Sequence, residues 1–347
     1  MIYPFKTNPI FKDYIWGGKN LRKMGKETPD GNIAESWELS AFPGYESRIA
    51  NGIHKDLTIT EYIEKNRESV MGEIEYSNFP LLLKFIDANK DLSIQVHPDD
   101  DYAKVNENGK SGKTEMWYII DAKPDAKIIH GFNPTKSSEE IKNQILNNDH
   151  KNLYQEVPLS KGDIIFIPSG TVHALKDGVI VAEIQQHSDI TYRIYDYDRV
   201  DSSGNKRPLH VKKALDVLDF SDKKPKYPGL EIKNEDIINK YLVLCKYFCI
   251  QFIKSIDTSF EFSTNNQFSV FMILEGYADI YSSFGAISAG ALETVFIPAG
   301  LSNFNVKGNY SALYIHVPKN VEEVYSSLIK NGHSHEEIIE NVAGLEI

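Results

Sequence analysis

Phe166-Ile167-Pro168-Ser169-Gly170 returns 130 residues later as Phe296-Ile297-Pro298-Ala299-Gly300. Each copy ends a stretch rich in β-branched and aromatic residues. Such stretches, broken by Gly, Pro, Asn and Asp, recur at 163–168, 179–184, 270–274 and 313–317. An echo of this kind marks one structural unit used twice. Aligning Trp117-Tyr118-Ile119-Ile120 with Phe271-Met272-Ile273-Leu274 leaves 49 residues to Phe166 but only 25 to Phe296, so the first copy holds 24 more. The polar, helix-patterned region 137–152 lies inside that excess and is the natural insertion. The expected fold is mostly β: two related β-barrel domains at 1–225 and 229–347, with a small helical insertion near 137–152 and a helical tail. The Lys- and Pro-rich stretch 221–228 is the expected linker.

Helical periodicity is confined to 58–71, 138–147, 209–220 and two pieces of the tail. Ser137 with Glu140 and Ser334 with Glu337 have capping-box spacing, and Pro208 suits a first helical turn. The 347 residues, with 41% hydrophobic and 25% charged side chains, exclude disordered and collagen-like classes and allow two or three domains. Subtracting 49 acidic from 38 basic residues gives −11, and no basic stretch could track a phosphate backbone, so nucleic acid is not an expected partner. Residues 1–18 carry Pro4 and Pro9 with no continuous apolar run, and no run approaches the ~18 residues of a membrane span. A cytoplasmic protein with no membrane partner is expected. Cys245 and Cys249 are read as core thiols on one face of a single strand.

The chemistry-bearing residues gather in the first half. Gln95-Val96-His97 ends a strand-like run, with Gln95 and His97 on one face, before Pro98 and three aspartates stop it. Glu115 begins a second strand after a polar loop, and His173 follows a tight Pro168-Ser169-Gly170 turn. An isolated strand histidine is ordinarily a satisfied structural residue; two His, one Glu and one amide together suit a zinc-type site with an open position. In the second half the places of Glu115 and His173 are taken by Ser269 and Asn303, so that barrel is expected to hold no metal. Arginine is scarce, with six residues against 32 lysines, and Arg193, Arg199 and Arg207 cluster downstream of the proposed ligands. A guanidinium grips phosphate bidentately, so an anionic substrate is expected; surface ion pairing is the competing reading, stronger for Arg199 and Arg207 than for Arg193. Lys113, two residues before Glu115, is a candidate for phosphate binding or proton transfer. His333 and His335 read as solvated turn residues between tail helices.

Gly162-x5-Pro168-x-Gly170-x2-His173 resembles the second motif of the cupin superfamily, in which that histidine ligates the metal. The first motif is altered, because Glu115 lies 18 positions after His97 instead of about four or five, and Ala122 replaces its second glycine. Trp16-Gly17-Gly18, Ala34-Glu35-Ser36-Trp37-Glu38-Leu39-Ser40, Gln95-Val96-His97-Pro98, Gly112-Lys113-Thr114-Glu115-Met116-Trp117-Tyr118 and the run from Thr191 to Arg199 resemble the type I mannose-6-phosphate isomerase family. The likeness covers residues 1 to about 318 and is to the short bacterial form.

That resemblance implies two cupin (jelly-roll) barrels and one Zn²⁺ per chain in the first, held by His97, Glu115, His173 and Gln95. It implies interconversion of mannose 6-phosphate and fructose 6-phosphate through a cis-enediolate, with Arg193 as the active-site arginine and Glu183 and Lys113 in the pocket. Trp16, Glu35 and Trp37 are placed near its mouth and outside catalysis. A monomer or weak homo-oligomer is expected. Two rival readings are a non-catalytic sugar-phosphate sensor and an Fe(II) cupin oxygenase, since two histidines and a carboxylate also make the facial triad. Intact ligands weigh against the first, and Arg193 with Lys113 against the second.

Overall fold

The computed structural model describes residues 2–76, 78–200, 204–233 and 237–345. Strands dominate, and the runs at 163–168, 179–184, 270–274 and 313–317 all form strands. A six-stranded antiparallel sheet runs in the order Ile164–Ile167, Glu115–Ala122, Val179–Gln186, Leu81–Ala88, Glu35–Leu39, Ile10–Lys12. Across from it lies a five-stranded sheet in the order Tyr154–Pro158, Lys127–Phe132, His173–Leu175, Ile94–Val96, Tyr192–Tyr195. Trp117, Ile119, Val179 and Val181 of the first sheet meet Ile128, Val157 and Leu175 of the second in one apolar cluster, which makes the pair a sandwich.

The other face of the six-stranded sheet is buried as well. Leu83, Phe85, Met116, Ala182 and Ile184 share a cluster with Phe248, Phe268, Phe296, Leu313 and Ile315 from the last third of the chain. Strand alternation does the sorting. Along Val179–Gln186 the even positions Ile180, Ala182 and Ile184 face that cluster, while Val179 and Val181 face the sandwich interior. Glu183 and Gln185 therefore point inward too.

The last third forms a nine-stranded sheet in the order Leu230–Ile232, Ile237–Leu244, Cys249–Ser263, Asn303–His316, Ser269–Ser282, Thr294–Ile297, Phe5–Asn8, Arg48–Ile49, with Gly285–Gly290 paired to Ser269–Ser282. Phe5–Asn8, from the start of the chain, is thus a strand of this sheet. The register repeats between the halves: Ile167 lies opposite Glu115 as Ile297 lies opposite Ser269. The excess of the first copy is spent on the break between Glu115–Ala122 and Lys127–Phe132 and on the helix Ser138–Leu146. Phe262, Phe271, Phe304 and Tyr314 fill the interior of the second half.

The helices start where side chains can cap them. Thr58 with Glu61 and Ser137 with Glu140 make complete capping boxes, and the Ser334 side chain accepts from Glu337 N–H. Three expectations are corrected. The helix expected at 209–220 spans only Val211–Val217, because the His210 N–H donates to the Arg193 carbonyl (2.8 Å) and ties the chain before it to a strand. Cys245 and Cys249 do not share one strand. The chain turns between them, with Cys245 N–H on the Phe248 carbonyl and Leu244 opposite Cys249, and both are buried thiols outside any disulfide. The aspartates that stop Ile94–Val96 also begin a helix, Asp100–Asn106, whose N-cap Asp99 accepts from Tyr102 N–H. Among the described residues no helix is long and apolar enough to cross a membrane.

Candidate metal centre and active site

Three strand ends converge inside the first sandwich. His97 follows Ile94–Val96, Glu115 opens Glu115–Ala122 and His173 opens His173–Leu175. Two short links hold them in register. Gly170 N–H, in a turn that needs its φ of +85°, donates to the His97 carbonyl (2.8 Å), and Lys113 N–H donates to the Pro98 carbonyl (2.9 Å). Gly112 is required there, because a Cβ would sit 2.3 Å from the Asp99 carbonyl carbon.

The donor atoms of His97, Glu115 and His173 all lie within 4.8 Å of one another, and all three residues are buried. His173 Nε2 is 3.2 Å from Glu115 Oε1, and His97 Nε2 is 3.6 Å from Oε2. Each imidazole is anchored by its other nitrogen: His97 Nδ1 is 2.7 Å from the Ile190 carbonyl and His173 Nδ1 is 2.9 Å from the Thr171 carbonyl. A carbonyl only accepts, so both Nδ1 atoms carry the proton and both Nε2 lone pairs face the cluster, the arrangement a metal ligand needs. Among the described residues, His97 Nε2 and Glu115 Oε1 have no hydrogen-bond partner, and Glu115 Oε2 meets only the Lys113 ammonium and His97. Buried imidazole and carboxylate donors gathered within 4.8 Å, two of their atoms without a hydrogen-bond partner, fit a divalent cation. Gln95, opposite His173 in the sheet, brings its amide within 3.3 Å of His173 Nε2.

The charges agree with that reading. Burial, reinforced by the Lys113 ammonium, pushes the His97 imidazole down to about 3, so it is a neutral ligand at pH 7. Burial acts to raise the Glu115 carboxyl, but Lys113, whose Nζ is 2.9 Å from Oε2, and His97 outweigh it and hold the group well below the usual carboxylate range.

Gln95 and Lys113 open onto a cleft of about 1220 Å³, which Glu183, Arg193, Trp37 and Trp117 also line. Arg193 stands on Tyr192–Tyr195, beside Gln95 in the sheet. Its Nε is buried without a partner, and among the described residues no carboxylate forms an ion pair with it. Arg199 and Arg207 instead both clamp Asp196, Arg207 through Nε at 2.8 Å and Nη2 at 2.5 Å.

Behind the cluster, Lys84 on Leu81–Ala88 is 2.8 Å from Glu183 Oε1 and 3.7 Å from Glu35 Oε2. Trp117 Nε1 donates to Glu183 Oε2 (2.9 Å), and Trp37 Nε1 to Glu35 Oε2 (2.6 Å). Burial opposes the Lys84 charge, yet the two carboxylates overcome it and raise the ammonium above its ordinary value.

Residues 5–128 match the model of the phosphomannose isomerase type I catalytic domain. Mannose-6-phosphate isomerase ManA of Bacillus subtilis (strain 168) is 36% identical over 314 residues, which cover 90% of this chain and 99% of the relative. The chain belongs to the mannose-6-phosphate isomerase family. A crystal structure of the Bacillus subtilis mannose 6-phosphate isomerase superposes with a TM-score of 0.85 at 36% identity, covering 91% of this chain and all of that one. A zinc-bound mannose 6-phosphate isomerase shares the fold at a TM-score of 0.75 and 17% identity, with coverage of 91% and 100%.

In this isomerase-family chain the structure gathers the expected ligand and catalytic candidates into one region: His97, Glu115 and His173 at the cluster, Gln95 and Lys113 against it, Glu183 and Arg193 on the cleft wall. Arg199 and Arg207 follow the ion-pairing reading. The sequence reading missed Lys84, and it set Glu35 and Trp37 apart from the polar network they belong to. A signal was present. Lys84 interrupts the run Leu81-Leu82-Leu83-Lys84-Phe85-Ile86, and a charge inside a strand buried on both faces must be paired. His333 and His335 lie by the tail helices, His333 paired with Glu337 and His335 with Tyr325.

Proposed function

We infer that this chain interconverts mannose 6-phosphate and fructose 6-phosphate with one Zn²⁺ held by His97, Glu115 and His173, Gln95 serving as fourth ligand. The observation that carries the reading is the buried cluster of nitrogen and oxygen donors from His97, Glu115 and His173, in contact with Gln95 and Lys113, which line a cleft that also bears Arg193, a guanidinium with no carboxylate paired to it among the described residues. When bound there, Zn²⁺ supplies a Lewis acid that polarises the oxygens on C1 and C2 and offsets the charge of a cis-enediolate.

The chain's own groups do the rest. Arg193 holds the substrate phosphate with its free guanidinium, which fixes the far end of the sugar and orients C1 and C2. Glu183 takes the proton from C2 and returns it to C1. Lys84 Nζ, 2.8 Å from Oε1, and the Trp117 indole, 2.9 Å from Oε2, set its orientation. Lys113 adds positive charge beside Glu115 and the cleft. In this division residues 1–225 carry the chemistry, and 229–347 brace the back of the sheet that presents Glu115, Lys84 and Glu183.

The test is turnover of mannose 6-phosphate in ²H₂O, followed by NMR. Fructose 6-phosphate should acquire deuterium at C1, and Glu183→Gln should slow turnover by roughly 10²–10⁴-fold. Unchanged turnover in that variant would remove Glu183 from the role. Oxygen uptake by the iron-loaded protein with no isomerisation would favour the oxygenase reading instead.

A further inference from the structure

Residues 107–114, between the helix Asp100–Asn106 and the strand Glu115–Ala122, belong to no helix or strand. A segment without a backbone ladder has to be held by other partners, and this one carries Lys113 and leads into Glu115. Its outer part is fastened by Lys110 on Asp189 (3.0 Å) and by the Ser188 hydroxyl on the Ser111 carbonyl (2.9 Å). Asp100 and Gln186 hold the inner part. Asp100 Oδ1 accepts from the Gly112 N–H (2.8 Å) and from Gln186 Nε2 (3.0 Å). Gln186 Oε1 in turn accepts from the Thr114 N–H (2.8 Å), and the Gln186 N–H donates to the Thr114 carbonyl (3.1 Å). Lys113 is thus clamped on both sides, with its Nζ 2.9 Å from Glu115 Oε2.

The other oxygen of Asp100 is reached from the far half of the chain. Tyr247 OH donates to Asp100 Oδ2 (2.7 Å). Tyr247 stands in the turn between Ile237–Leu244 and Cys249–Ser263. That turn is pinned: Cys245 N–H donates to the Phe248 carbonyl (3.1 Å), and the Phe248 side chain is buried in the cluster shared by the two halves. Burial and the Asp100 carboxylate both push the Tyr247 hydroxyl up, so it keeps its proton and remains a donor at neutral pH. Among the described residues lining the cleft, Tyr247 alone comes from 229–347.

We propose that Tyr247 is a positioning residue: through Asp100 it fixes the backbone of 112–114, so that the second half of the chain sets where Lys113 and Glu115 stand. Its effect on turnover rests on the isomerase reading above; the tether itself does not.

Tyr247→Phe keeps the ring and removes the donor. Hydrogen exchange followed by mass spectrometry on the full chain should show peptides covering 108–116 exchanging about tenfold faster, the worth of one hydrogen bond to a charged group, while those from Asn303–His316 keep the parental rate. Asp100→Ala should speed the 108–116 peptides further. Tyr325→Phe, which removes a hydroxyl from a contact with His335 in the tail, should leave them unchanged. In turnover of mannose 6-phosphate, Tyr247→Phe should lower kcat about tenfold with KM within about twofold, because Lys113 and Glu115 serve the reacting carbons and Arg193 the phosphate. Parental exchange in both Tyr247→Phe and Asp100→Ala would overturn the tether. Faster exchange with an unchanged kcat would overturn the positioning role. A parent that turns nothing over would sink the isomerase reading alone, and exchange would still decide the tether.

Discussion

Replacing Lys84 by Met tests how the buried network along the cleft wall is held. The substitution keeps the apolar stem and removes one charge from a site where the Lys84 side chain is 8% exposed and that of Glu183 4%. Among the described residues, Glu183 then keeps only the Trp117 indole as a donor, and Glu35 only the Trp37 indole. Breaking a buried pair by deleting one partner costs about 3–5 kcal/mol, because the other charge stays desolvated and uncompensated. Against a typical domain stability of about 5–15 kcal/mol, that is a large fraction. Urea unfolding should therefore show the midpoint falling with an unchanged slope. The pH dependence has a definite sign. Lys84 is raised above its unfolded value, so its contribution is complete below about pH 10.4 and is lost only as pH rises through the higher folded value. The destabilisation should thus be the same at pH 6 and pH 9. Lys84→Met combined with Glu183→Gln should recover part of the stability without recovering activity, giving a coupling energy of about 1.5 kcal/mol or more in a double-mutant cycle. A loss under about 1 kcal/mol for Lys84→Met, of the size expected for a solvated surface pair, would refute the reasoning.

Arg193→Ala should lower kcat/KM by about 100-fold or more through loss of a charged phosphate contact, measured in a coupled assay. Arg207→Ala should cost less than about tenfold, because Arg199 still holds Asp196; equal losses would count against the assignment. The metal-free protein should lose stability as pH falls. Burial pushes His97 to about 3 and His130 to about 4, both below the unfolded ~6.5, so each contributes fully above 6.5 and loses its contribution as pH drops toward the folded value. Between pH 7.5 and 5.5 the two together should cost about 2–3 kcal/mol in urea unfolding. A fragment of residues 1–225 should fail to fold on its own, because Leu83, Phe85, Met116 and Ile184 would lose Phe248, Phe268, Phe296 and Leu313 as neighbours. A sharp NMR spectrum from that fragment would contradict this.

Much of this was legible in the chain because strand register is periodic. The Phe-Ile-Pro echo places Glu115 against Ser269, and the observed pairing with Ile167 and Ile297 agrees. His97 and His173 were legible because a Pro98 stop and a Gly170 turn fix where strands end, and the buried cluster sits at strand ends. Lys84 was hidden for the opposite reason. Its strand is apolar on both faces, so the run looks like core until one asks how a charge inside it is satisfied. The turn at Cys245–Phe248 lacks Gly or Pro, and its one local sign is the exposed Lys246 interrupting an apolar run. The helix after Asp99 is capped by the same aspartates that ended a strand, so a stop signal was also a start signal. Pairing of Arg199 and Arg207 with Asp196 is a tertiary choice that composition alone leaves open.

The most direct test of the central claim is isomerisation of mannose 6-phosphate by the purified chain before chelation, after chelation and after Zn²⁺ is added back, with His97→Ala and His173→Ala alongside. Turnover that disappears with the metal, returns with Zn²⁺ in the parent and does not return in either variant is the predicted result. Full turnover in the chelated protein, or none from folded and zinc-loaded protein, would contradict it.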